Sequence, residues 1–244
     1  MKVLWVKDNN IGHEKQVKIL LDELNKNVDL DIDERDVKGF YPLFTYLEDI
    51  EEKKYDFIIG AGHRTYSLIL SIKKNQKENT KSVAILSPTF RKDKFDIICS
   101  PSHDKDKFKK TNNVIFFEGS LAKVSDKDTD ENTIMIAVGG KNKHFAFDED
   151  HIISQIDYFI SIHPNKNCYI FNSRRTPSST NQKLASLKSI YENVTFCDLN
   201  MGSNDFEKIL ARASSKLITR DSVNMIFESL SCKGKTYLID MKEN

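Results

Sequence analysis

Residues 216–230 read KLITRDSVNMIFESL, and this stretch decides the fold. Lys216–Thr219 is a short, largely apolar run that stops at Arg220-Asp221-Ser222. Past that break, Val223, Ile226, Phe227 and Leu230 fall at the i, i+3, i+4, i+7 spacing of a helical stripe. A strand, a turn capped by Asp221 or Ser222, and a helix therefore follow one another directly.

The same unit repeats along the chain. Strand-like runs are expected at Val3–Val6, Tyr55–Gly60, Ser82–Ser87, Phe95–Ser100 and Val114–Phe117. A second series follows at Ile134–Val138, Cys168–Asn172, Val194–Cys197, Lys216–Thr219 and Thr236–Asp240. Most are continuously apolar, as strands covered on both faces are. Helical stripes lie between them, at Val17, Leu20, Leu21 and Leu24, at Ile152, Ile153, Ile156, Phe159 and Ile160, and at Phe206, Ile209, Leu210 and Ala213. Strand–helix alternation implies right-handed βαβ units and parallel sheets. Lys123–Thr133, KVSDKDTDENT, is acidic and aperiodic and separates the two series. The expected fold is α/β, with two Rossmann-like domains, 1–124 and 133–244, whose parallel sheets face across a cleft.

Composition narrows the function. The chain has 244 residues, 39% hydrophobic and 30% charged, which is globular rather than disordered. At this length folding buries roughly 70–75% of the unfolded surface, so no disulfide or metal is needed for stability. Lys and Arg number 37 against 36 Asp and Glu, so no basic field points to nucleic acid. Cys99, Cys168, Cys197 and Cys232 show no CxxC spacing and read as reduced thiols of a cytoplasmic protein. The opening apolar run is too short for a signal peptide or a membrane span, which leaves peripheral contact with a membrane surface open. Asp-x-Asp pairs such as Asp128–Asp130 read as solvated runs, the histidines lack zinc spacing, and neither a GxSxG elbow nor a Walker loop occurs, so no metal is expected.

In parallel sheets, chemistry belongs to the loops at the carboxyl ends of strands. After the first strand, Asp8-Asn9-Asn10-Ile11-Gly12-His13 enters a helix. Gly12 permits a tight turn with amides free for an anion or hydroxyl, and His13 becomes a first-turn imidazole able to accept a proton. Ala61-Gly62-His63-Arg64 offers donors at another helix start. Pro101-Ser102-His103-Asp104 brings a carboxylate that either orients an imidazole, takes a proton itself or caps a helix. In the second series, Gly139-Gly140 opens the backbone for phosphate. Ser173-Arg174-Arg175-Thr176 places consecutive guanidiniums and two hydroxyls at a strand end, which suits a diphosphate. Asp221-Ser222 presents a helix N-terminus, and Glu228, about two turns further on, is a candidate acceptor for ribose hydroxyls.

Taken in order, GHEKQ from Gly12, AGHRT from Ala61, PSHD from Pro101, the glycine pair at Gly139, SRRTP from Ser173 and DSVNMIFES from Asp221 resemble the mitochondrial-fission "elongated mitochondria" family and its bacterial relatives. The resemblance spans nearly the whole chain and departs at Lys15, where relatives commonly carry Asn. It implies a GT-B-like glycosyltransferase, with acceptor loops on the first domain and nucleotide-sugar loops on the second. The layout is similar to that of the peptidoglycan N-acetylglucosaminyltransferase, where a Gly–His loop lies by the acceptor and a helix Glu binds the donor ribose. On that likeness Gly12, His63 and Arg64 line the acceptor side, with His13 as catalytic base and Asp104 or Asp8 as its partner or rival. Gly139, Gly140, Ser173, Arg174, Arg175, Thr176, Asp221, Ser222 and Glu228 hold the donor. The implied reaction moves a sugar from a nucleoside diphosphate, expected to be UDP, to a glycan or lipid-linked hydroxyl, without a cofactor. Such work belongs in the cytoplasm, at the inner face of a membrane where the acceptor is lipid-linked. A non-catalytic scaffold acting through protein partners, as plant members of the family suggest, and a nucleotide-sugar epimerase or hydrolase are the alternatives. The chain stops soon after its last strand, without the C-terminal helix of GT-B proteins, and that implies a minimal form, a homo-oligomer or a degenerate protein.

Overall fold

The computed structural model describes residues 1–37, 53–76, 78–199 and 205–244. They form two compact units, Met1–Leu121 and Ala122–Asn244.

In the first unit the strands are β1 (Lys2–Lys7), β2 (Asp31–Asp36), β3 (Phe57–Ala61), β4 (Lys81–Ile85), β5 (Ile97–Pro101) and β6 (Val114–Phe117). They pair in the order β2-β1-β3-β4-β5-β6, parallel throughout. Alternate residues of β1 serve opposite faces, as the two-residue period of a strand requires. Val3 and Trp5 pack with Val17 and Leu21 of α1 (Ile11–Asn25). Leu4 and Val6 pack with Tyr66, Ile69 and Ile72 of α2 (His63–Lys74). Burying each such side chain contributes about 1.5–3 kcal/mol.

The second unit holds β7 (Asp130–Ala137), β8 (Asn167–Phe171), β9 (Val194–Cys197), β10 (Ala213–Thr219) and β11 (Lys235–Ile239), in the order β11-β10-β7-β8-β9, again parallel. Ile134 and Ile136 of β7 face Ile152, Ile156 and Ile160 of α3 (Glu149–Ser161) and Leu184 and Leu187 of α4 (Ser178–Ile190). Met135 and Ala137 face Ile209 and Leu210 of α5 (Phe206–Arg212), with Met225 and Ile226 of α6 (Val223–Leu230) packed against them.

Several expectations change. Strand β2, sequence DIDERD, carries no apolar run and was not foreseen: it is an edge strand whose backbone pairs with β1 while its carboxylates meet solvent and lysines, as Glu34 does Lys7 at 3.0 Å. Strand β4 ends at Ile85 rather than Ser87, because Leu86 takes φ +74°. The stretch expected as a linker is partly built in: Asp130–Thr133 opens β7, and Ser125 bridges to Cys232. The stripe of α6 also misleads. Val223 and Leu230 are exposed while Glu228 and Ser229 turn inward. The reason is polar: Ser229 Oγ bonds Thr236 Oγ1 at 2.8 Å, and its carbonyl accepts from the buried Lys216 at 2.9 Å.

Helix α4 starts behind Pro177 with no cap of its own. Its first turn is held instead by Glu149 of α3, which accepts from Ser179 and Thr180 at 2.6 Å each and pairs with Lys183 at 3.0 Å. The two hydroxyls, then Lys183, lower the Glu149 carboxyl to about 2 from its ordinary 4.5. A depressed carboxylate stabilises the fold above its unfolded value and loses that effect as pH falls. Glu149→Gln should therefore lower the thermal midpoint by a constant amount above pH 5, and the gap from the parent should close between about pH 4.5 and 2. A gap independent of pH over that range would contradict the assignment.

Candidate functional site

Both sheets contain a point where the strand order reverses, between β1 and β3 in one and between β7 and β10 in the other. Crossovers leave such a point toward opposite faces, and the crevice so opened at the carboxyl ends is where ligands of open α/β sheets bind.

At the first reversal the β1–α1 turn builds itself from short polar side chains. Asn9 adopts φ +61°, Asp8 Oδ1 accepts from the Asn10 amide at 3.0 Å, and Asn10 Oδ1 caps α1 through the Gly12 amide at 3.0 Å. The Gly12 amide thus serves the cap rather than a ligand. The turn brings the third helical residue, His13, back over Asp8, with Nδ1 2.7 Å from Oδ2. The Asp8 side chain is only 6% exposed and the imidazole 29%. A carboxylate can only accept, so the proton of this bond lies on Nδ1 and Nε2 is left as the basic nitrogen. Gly62, from the β3–α2 loop, closes the back of the pair: at φ +87°, a Cβ there would lie 2.4 Å from both Asp8 Oδ2 and His13 Nδ1.

His63, the next residue, bonds Thr89 through Nε2 at 3.0 Å and lies parallel to the Phe90 ring, centroids 5.9 Å apart. Arg64 is exposed beside it. Asp104 is corrected: it does not orient His13. It binds the Ser87 hydroxyl and Lys107, pinning the 3₁₀ segment Ser102–Phe108 to the end of β4. Burial opposes its charge, but those two bonds prevail and hold the carboxyl below its ordinary range.

At the second reversal the predicted phosphate donors turn inward. The Gly139 amide donates to Thr219 Oγ1 at 2.7 Å and the Gly140 amide to Asp221 Oδ2 at 2.9 Å. The glycine pair is required by crowding instead: a Cβ at 139 would lie 2.2 Å from Asp221 Oδ1, and one at 140 would lie 2.0 Å from the Arg175 carbonyl oxygen. Arg175 Nη2 also donates to Asp221 Oδ2, at 2.8 Å. Thr176 Oγ1 accepts from the Ser173 amide at 2.8 Å and donates to the carbonyls closing β7, so Ser173 and Thr176 lock the loop rather than display hydroxyls. Arg174 is exposed, and Ser222 at the start of α6 makes no side-chain capping bond. Glu228 is enclosed, with 9% of its surface exposed. Thr219 was missed as a partner, since a strand-end threonine carries no motif that announces it. Asn172 was missed too: buried after β8, it ties Asn181 and Asp198 together at 3.1 and 2.8 Å. Among the described residues no cluster of His, Cys, Asp and Glu could hold a metal, and no helix is long and apolar enough to cross a membrane.

Glycine at 62 is therefore a requirement of the His13–Asp8 pair. Gly62→Ala should cost about 1–3 kcal/mol through strain at positive φ, and a crystal structure of the variant should show the imidazole displaced from Asp8. An unchanged denaturation midpoint with the 2.7 Å contact intact would refute this.

The sequence profile of a family described as Mitochondrial fission ELM1 matches residues 11–244. The uncharacterized protein RP120 of Rickettsia prowazekii (strain Madrid E) is 26% identical over 250 residues, spanning 82% of this chain and 70% of its own length. The fold is similar to that of S. aureus MnaA in a co-structure with UDP, at TM-score 0.59 and 11% identity, covering 99% of this chain and 80% of that one. It is similar also to Methanocaldococcus jannaschii UDP-GlcNAc 2-epimerase in complex with UDP-GlcNAc and UDP, at TM-score 0.55 and 11% identity, covering 99% and 85%.

Proposed function

The chain belongs to the mitochondrial fission ELM1 family, and from that membership we propose that it acts on a nucleoside-diphosphate sugar, transferring the sugar to a hydroxyl of a glycan or lipid-linked acceptor. The observation that carries the reading is the imidazole–carboxylate pair at the first strand-order reversal. Asp8 holds the His13 ring by Nδ1 and leaves Nε2 to take a proton from an incoming hydroxyl, the arrangement general-base catalysis needs. Asp8 also stabilises the imidazolium formed in that step.

The second unit carries the donor. Arg174, Arg175 and the amide end of α6 at Ser222 offset the charge of the departing diphosphate by electrostatic stabilisation. Glu228 accepts the ribose hydroxyls, and His63 with Arg64 borders the acceptor. UDP is the nucleotide favoured, because two structures of similar fold hold UDP or UDP-GlcNAc. One of these is a 2-epimerase, which favours as a second reading the isomerisation of the donor sugar without any acceptor.

Calorimetric titration with UDP and UDP-sugars, followed by assay of UDP release with and without acceptor glycans, tests both readings. His13→Ala should reduce turnover by about 10²- to 10⁴-fold while leaving UDP affinity nearly unchanged. Normal turnover by that variant would remove His13 as the base. Appearance of an epimer in the absence of acceptor would replace transfer by isomerisation.

A further inference from the structure

We propose that Asp221 is an internal competitor for the anion site at the second strand-order reversal, and that a diphosphate-bearing ligand binds there by displacing its carboxylate from Arg175 and Gly140. The inference rests on the reading of the second unit as the diphosphate-binding half.

Two donors converge on one oxygen of Asp221: the Gly140 amide at 2.9 Å and Arg175 Nη2 at 2.8 Å. A backbone amide and a guanidinium aimed at one point, beside the amide end of α6, form an anion cradle. The side chain filling it is fully buried. Its fit is poor, however. Oδ1 is buried with no hydrogen-bond partner among the described residues, so one half of the carboxylate carries no compensation for its lost water. The fork–fork pairing of a strong arginine–carboxylate contact is also missing, since Arg175 Nη1 turns to the Gly140 and Lys141 carbonyls at 3.4 and 3.3 Å. The Arg175 side chain is 44% exposed and so remains reachable from solvent. A phosphate has more acceptor oxygens than a carboxylate and can engage the amide and both arms of the guanidinium together. Binding breaks the Asp221 contacts and transfers Arg175 to the ligand; Asp221 turns toward water. The glycine pair belongs to the self-occupied state, in which the carboxylate and the Arg175 carbonyl lie where side chains at 139 and 140 would be.

The test is calorimetry of the full chain and of Asp221→Asn with inorganic pyrophosphate, UDP and uridine. Removing the competing charge should tighten pyrophosphate binding about tenfold or more, since a like charge in the site opposes the anion strongly. Uridine should be unaffected, and Arg175→Ala should abolish the gain. Equal or weaker pyrophosphate binding by a folded Asp221→Asn protein would overturn the proposal. Should that variant not fold, crystals of the parent chain soaked in pyrophosphate decide instead: Arg175 on phosphate with Asp221 rotated out supports it, and an intact Arg175–Asp221 pair or an empty cradle overturns it. UDP binding to the parent without a gain in the variant would reject the competitor and keep the nucleotide reading. A pyrophosphate gain without any UDP binding would keep the competitor and reject that reading.

Discussion

Parallel pairing is the constraint on which the remaining structure depends. A parallel strand cannot return through a tight turn, so each strand is followed by a crossover that must pack on one face of the sheet or the other. In the first unit α1 covers the Val3–Trp5 face and α2 the Leu4–Val6 face. In the second, α3 covers the Ile134–Ile136 face while α6 lies against Met135 and Ala137. The helices that follow β1 and β3, and those that follow β7 and β10, thus lie on opposite faces, and their loops meet at the strand ends. His13, Asp8 and Gly62 meet at one such point, and Gly139, Gly140, Arg175 and Asp221 at the other. The burial of apolar side chains on both sheet faces is what holds these polar groups at fixed distances.

The two points use similar materials for different ends. Each has a buried carboxylate bonded to a basic side chain, with glycine crowded against it. At the first, the acceptor is paired with a ring that still shows a second nitrogen, so the pair can move a proton. At the second, it is paired with a guanidinium, which only donates and offers no accepting nitrogen, so the pair can only be made or broken. The position of α6 matters to the second, and Lys216 secures it from the far end: its buried ammonium donates to the carbonyls of Ser229, Cys232 and Lys233 at 2.9, 3.2 and 2.7 Å. Burial pushes the Lys216 pKa down. These acceptors nonetheless account for all three ammonium protons, which makes the lysine a C-terminal helix cap within the core.

Apolar runs made the core strands legible, because a strand buried on both faces has nowhere to place a polar side chain. Strand β2 was hidden for the converse reason, since an edge strand needs only its backbone to pair and DIDERD offers charge to solvent. The helix spacing located α6 and not its orientation. Which side faces inward was decided by bonds of Ser229 to Thr236 and Lys216, residues on two other strands. The glycine pair shows the same limit in the site. Adjacent glycines after a buried strand report close approach by something, and the sequence does not say whether that is a ligand or, as here, Asp221 and the Arg175 backbone. His13 was legible as a candidate, whereas Asp8 was only one of two possible partners beside Asp104; the fold of the β1–α1 turn, which brings Asp8 Oδ2 to 2.7 Å from Nδ1, distinguishes them.

The choice between Asp8 and Asp104 turns on a strained backbone elsewhere. Leu86, at φ +74°, sits where a branched side chain costs about 1–3 kcal/mol. The distortion is offset by its amide, which reaches the Cys99 carbonyl at 2.8 Å, and by its side chain, which packs against the cluster of Val3, Trp5 and Ile85. Its effect is to end β4 early and aim Ser87 sideways, where the hydroxyl meets Ser100 Oγ at 2.7 Å and the Asp104 carboxylate. One oxygen of Asp104 is then occupied by Ser87 and the other by Lys107. With its charge stabilised on both sides, Asp104 is tied into its own loop, and of the two carboxylates it is Asp8 that bonds the His13 ring among the described residues.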